Sequence, residues 1–175
     1  MLTKIRARRL ALAGGLLLAA ALPAAALRAA APPATTVAFA PAVASRMQSY
    51  GEEQRVTLER AIVAAVDRVA AGTPAMTGLE IAVTVEDVAP THLTPAQLAA
   101  DPAASAVHNK SLGGAQLSAE VRDASHHVLT VVHHSYFART LALGSSSLDP
   151  WADARLAIDQ FAVKLAAACR ALPRR

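Results

Sequence analysis

The sequence predicts an α+β fold: a two-layer domain whose sheet of three or four mostly antiparallel strands carries two amphipathic helices on one face. Two periodicities predict it. Apolar residues recur at every second position over 79–86 and 115–121, the pattern of strands with one buried and one wet face. They recur at three- and four-residue spacing over 56–70 and 151–168, the pattern of helices with one apolar stripe. Elements in this order pack most economically as a sheet with helices on one side.

Taken in order, Thr35 to Ala40 is a short β-prone run stopped by Pro41, and residues 41–50 are expected to be loop. From Glu52 to Ala71 the spacing is helical, with Val56, Glu59, Ile62/Val63, Val66 and Val69/Ala70 on the stripe. Glu52 and Glu53 sit in the first turn, where the helix dipole favours acids, and Gly72-Thr73-Pro74 stops the helix. Leu79, Ile81, Val83 and Val85 then alternate with Glu80, Ala82, Thr84 and Glu86 until Pro90 ends the strand. The link between these two strands is expected to be a right-handed crossover.

A long connection spans 89–112. Inside it Thr94, Pro95 and Gln97 have the N-cap, N1 and N3 chemistry of a capping box, which predicts a short helix over 95–100. Gly113-Gly114 opens a second alternating run, with Ala115, Leu117, Ala119 and Val121 on one side. Asp123-Ala124-Ser125-His126 has turn chemistry, and 128–137 is the return strand of a hairpin. Its register depends on the loop. One register buries Val128 and Val132 opposite Val121 and Leu117; a one-residue slip buries Leu129 and Val131 instead. After the stretch from Gly144 to Ser147, Asp149 as N-cap and Pro150 at N1 start the last helix, with Trp151, Ala154, Ile158, Phe161, Leu165 and Ala168 on its stripe.

The chain has 175 residues, 54% of them hydrophobic but only 3% aromatic. Its start, with Lys4, Arg6, Arg8 and Arg9 before an apolar run from Leu10 to Leu27, has the layout of a secretory signal peptide. Ala24-Ala25-Ala26 offers the small-residue exit, so the expected organisation is signal peptide 1–26, linker 27–36 and a single domain over 37–172. Export to the periplasm or beyond follows; the rival reading is an inner-membrane anchor formed by residues 10–27. The formal charge of +4 equals those four leader cations, so cleavage leaves a chain near neutrality. No basic stripe with interleaved aromatics remains, and nucleic acid is not an expected partner. Membrane is met only through an uncleaved N-terminal segment.

The candidate chemistry is sparse. One cysteine excludes an intramolecular disulfide framework and a Cys-rich zinc site. His126, His127, His133 and His134 lie on one hairpin and are the metal candidates, since imidazole is a common transition-metal ligand. Adjacent strand residues point to opposite faces, so His133 and His134 cannot share an ion, and a site would have to recruit His92 or His108. Ser145, Ser146 and Ser147 lack a nucleophile elbow. Cys169, late in an alanine-rich helix, reads as a buried inert thiol. Glu80 and Glu86 share a strand face about 20 Å apart, too far for a glycosidase pair. No catalytic residue and no cofactor is implied.

Over roughly 37–170 the chain resembles a family of small bacterial envelope proteins, mostly lipoproteins, defined as a domain of unknown function. The shared features are Val85-Glu86-Asp87-Val88 at a strand end, Gly113-Gly114 leading into 117–124 with the return strand after it, and Trp151-Ala152-Asp153-Ala154-Arg155 opening the last helix. The resemblance implies an α+β envelope domain and assigns no catalytic residues. The lipoproteins of that family carry a cysteine at the cleavage point, whereas the only cysteine here is Cys169. The leading expectation is thus an exported, non-enzymatic domain that binds an envelope protein or supports an assembly. The alternatives are a metal-binding envelope protein using the histidine hairpin and an unrecognised hydrolase.

Overall fold

The computed structural model describes residues 32–101, 103–104, 111–140 and 148–173. The expected leader, His108 and the stretch from Gly144 to Ser147 lie outside them. The sheet has four strands in the order β1-β2-β3-β4. Strand β1 (Ala34–Phe39) pairs parallel with β2 (Glu80–Ala89), while β3 (Gly114–Arg122) and β4 (Val128–Phe137) follow antiparallel. The fold is α+β. The first strand starts inside the expected linker, because the Ala34 N–H already bonds the Leu79 carbonyl at 3.0 Å.

Between the parallel strands run α1 (Pro41–Tyr50) and α2 (Glu52–Ala71), followed by a 3₁₀ turn over Pro74–Met76. The expected loop at 41–50 is therefore a helix. Pro41 stands at its first positions, where its missing N–H costs nothing. Val43 and Met47, four apart, bury themselves at 0% and 2% exposure. Two contact residues suffice for a ten-residue helix, but they are too few to register as a period. Gly51, at φ 98°, makes the break between α1 and α2.

In α2 the buried row is Leu58, Ile62, Ala65 and Val66, whereas Val56 and Val63 are half-buried. Both rows satisfy helical spacing; packing against β1 and α4 (Ala152–Arg170) selects the first. Helix α4 follows the expected stripe, and Phe161 and Leu165 are fully buried. Its N-cap is Trp151 rather than Asp149. The Asp149 carboxylate instead accepts the Trp151 N–H at 3.0 Å and the Arg155 Nε–H at 2.8 Å, just before the first turn. Trp151 is buried, donates Nε1–H to Gln54 at 2.8 Å and meets Tyr50 edge-on at 5.6 Å between ring centres.

Ile81, Val83, Val85, Leu117, Ala119, Val121 and Val132 share the buried sheet face. Register shifts at two places change the simple alternation. Between Val85 and Asp87 an irregularity in β2 moves the buried position to Val88. In the hairpin, Ala119 opposes Val132, but Val121 opposes Thr130 and Arg122 opposes Val128, leaving Leu129 extra. Val132 is buried as the first register expects, yet Val128 is 52% exposed.

A polar knot pins the start of β3 to the start of α4. Asp153 Oδ2 accepts the Thr91 hydroxyl at 3.0 Å and the Gly113 N–H at 3.2 Å, and Thr91 Oγ1 accepts the Asp153 N–H at 3.2 Å. Thr91 also gives its N–H to the Pro150 carbonyl at 2.6 Å and takes the Ser111 N–H at 2.8 Å. A Cβ on Gly113 would stand 2.4 Å from Thr91 Oγ1, so only glycine fits. Nearby, α3 (Pro95–Ala100) has the expected capping box: the Thr94 N–H bonds Gln97 Oε1 at 3.0 Å, and the Gln97 N–H bonds Thr94 Oγ1 at 3.4 Å.

Candidate functional site

The helices cover one sheet face, so the polar residues of the alternating runs line the other. Glu80 and Glu86 come from β2, Gln116, Ser118, Glu120 and Arg122 from β3, and His133 and Ser135 from β4, with the exposed Val131 beside them. The same alternation that fills the core sets out this row. Glu86 is its centre. The Ser118 hydroxyl and the Gln116 amide (2.6 Å) hold its carboxyl below the usual carboxylate range, and His133, 3.6 Å away, adds to the effect.

The four candidate histidines are all on or beside this hairpin, each with its own partner. His126, in the turn at φ 61°, places Nδ1 2.8 Å from Glu80. His127 Nδ1 lies 3.8 Å from Asp123, His133 contacts Glu86, and His134 Nε2 lies 3.2 Å from Gln160 on α4. His133 and His134 point to opposite faces, as strand geometry requires. Among the described residues no group of three or more His, Cys, Asp or Glu side chains converges as a metal cage would need. His92 is buried near the start of the long connection. Glu80 and Glu86 engage different histidines.

Cys169 is buried, and burial pushes its thiol up, which keeps it in the unreactive protonated form. It lines an apolar groove of about 440 Å³ with Leu79, Val128, Leu129 and Leu172. Among the described residues no histidine lines that groove.

The residue the sequence did not single out is Lys164. Strand β4 stands at the sheet edge, and among the described residues it pairs only with β3. The Ala138 N–H reaches back to the Gly113 carbonyl at 2.9 Å. By alternation, the backbone groups of Val131, His133, Ser135 and Phe137 point away from the sheet. Lys164, projecting from α4, puts Nζ 2.6 Å from the outward carbonyl of His133. The contact joins residues 31 apart in sequence and has no local signal.

Fold and site together define a one-sided α+β domain with an open polar sheet face and a lysine-capped edge. No family model, no curated protein and no solved structure matches the chain. Among the described residues no helix is long and apolar enough to cross a membrane.

Proposed function

We propose that this chain is an exported envelope protein whose domain works by contact, binding a protein partner on the hairpin side of its sheet. The observation that carries the reading is the one-sided cover. Helices α2 and α4 seal one face, while Val128 and Val131 stand about half exposed on the edge strand β4, whose outer backbone groups face away from the sheet. Edge strands of this kind are surfaces that proteins either protect or use. The basic, apolar, alanine-ended N-terminus supports export, and the resemblance to envelope proteins supports the compartment. The histidines favour no second reading, since each is engaged with a separate neighbour.

The test is in-cell crosslinking followed by purification of the full chain from the envelope fraction. One defined envelope protein is expected to co-purify, crosslinked to residues of β4 or its turn. Recovery of no partner overturns the proposal, and so does a crosslink confined to the outer surface of α2.

A further inference from the structure

The β4 edge has a charge bias that narrows the kind of partner it fits. The strand Val-Leu-Thr-Val-Val-His-His-Ser-Tyr-Phe has ten residues and contains no proline, aspartate or glutamate. Beside it stand Lys164 and Gln160 from α4, His133 and His134 on the strand, and Arg139 just beyond it. The nearest carboxylates are already engaged: Glu120, opposite Val131 on β3, accepts from Arg122, Glu86 on the open face of β2 is held by Ser118 and Gln116, and Asp123 accepts the Ser125 and His127 N–H groups. Two hollows run along the strand: one of about 230 Å³ lined by Gln116, His133, His134, Ser135 and Lys164, and one of about 710 Å³ formed over 135–140.

Building on the contact reading above, the geometry points to strand addition at β4 by an extended polypeptide segment rich in carboxylates. The incoming backbone bonds the outward groups of Val131, His133 and Ser135. Lys164 must leave the His133 carbonyl for this to happen. Its ammonium then needs a new acceptor, which a carboxylate on the incoming strand supplies as a charge-assisted bond. The lysine thus acts as a filter. A neutral strand leaves that ammonium to water and gains no charge-assisted bond in return. A second copy of this chain brings another Lys164 and no β4 carboxylate, so two edges repel. Lysine guarding of edges against self-pairing is a general device; here the guard also selects an acidic guest.

The experiment uses the full chain and three fluorescein-labelled ten-residue peptides in which valine alternates with glutamate, glutamine or lysine. Fluorescence anisotropy is expected to show binding of the glutamate peptide alone, weakening as salt is raised. Lys164→Glu is expected to abolish that binding and to admit the lysine peptide. Ser135→Pro removes only an outward N–H, so the ladder to β3 stays intact; it is expected to weaken binding about tenfold or more, with near-UV circular dichroism unchanged. Ser135→Ala is expected to bind as the wild type does. Equal binding of the three peptides overturns the inference, as does wild-type affinity in both Lys164→Glu and Ser135→Pro. If those two variants still capture the crosslinked envelope partner normally, the inference fails while the contact function stands. If the glutamate peptide binds but cells yield no partner, the inference stands and the contact function fails.

Discussion

Two carboxylates in this molecule each gather several donors, and they do different work. Asp153 accepts a hydroxyl and a backbone N–H inside a knot where Thr91 is 5% exposed and Gly113 is buried. Glu86 accepts an amide and a hydroxyl and faces a histidine on the open side of the sheet. The chemistry is nearly the same; the surroundings are not. If Asp153 is removed, its donors stay dry, and each unmade bond costs about 1–3 kcal/mol. If Glu86 is removed, water takes its place, and exposed pairs contribute at most about 1 kcal/mol. The knot holds the fold, and the open face is left free to exchange partners.

The largest effect is therefore expected from Asp153→Ala. It strands the Thr91 hydroxyl and the Gly113 N–H and unties the start of β3 from α4. A loss of about 3 kcal/mol is expected, read as a lower urea midpoint at unchanged slope. A loss below about 0.5 kcal/mol would remove the contrast between the two carboxylates. Thr94→Ala, in the same connection, deletes one arm of the capping box of α3. It is expected to cost about 1 kcal/mol, and Thr94→Ser should restore most of it.

Much of the fold was legible in the sequence, and the illegible part has physical causes. The strand over 79–86, the run from Ala115 to Val121, the capping box at Thr94 and the stripe of the last helix are local patterns, and each formed as its residues direct. The helix at 41–50 escaped because only Val43 and Met47 mark its buried side. The α2 row slid to Leu58 because two adjacent rows had equal periodicity and the neighbours chose between them. The β2 bulge and the extra Leu129 alter parity with no turn residue to announce them. On the site, the hairpin histidines and the separation of His133 from His134 were readable. Their pairing with Glu80, Asp123, Glu86 and Gln160 was not, and neither was the Lys164 cap, since those contacts join distant stretches or depend on rotamers.

Glu86→Gln gives a smaller and pH-dependent effect that sharpens the comparison. Ser118, Gln116 and His133 hold the Glu86 carboxyl below its ordinary value. A lowered folded value means the ion is favoured in the folded state. Its contribution is present above the unfolded value of about 4.3 and fades as pH falls through the lowered one. Wild type is expected to exceed Glu86→Gln by less than about 1 kcal/mol at pH 7, with the gap closing in acid. A gap that widens below about pH 4 would contradict this arrangement of donors.

The smallest effect is expected at the hairpin tip, where two opposing terms nearly cancel. His126 sits at φ 61°, a left-handed conformation that glycine adopts without strain. His126→Gly relieves that strain, but it gives up the exposed contact with Glu80 and loosens the unfolded chain. The net change is expected to lie within about 0.5 kcal/mol of zero. His126→Val loses the same contact and adds a β-branched side chain where φ is positive, so it is expected to destabilise by about 1–2 kcal/mol. The pair of variants separates backbone geometry from the imidazole. If glycine costs as much as valine, the histidine ring and its Glu80 contact hold the turn, and the open face would then be a structural element rather than a free surface.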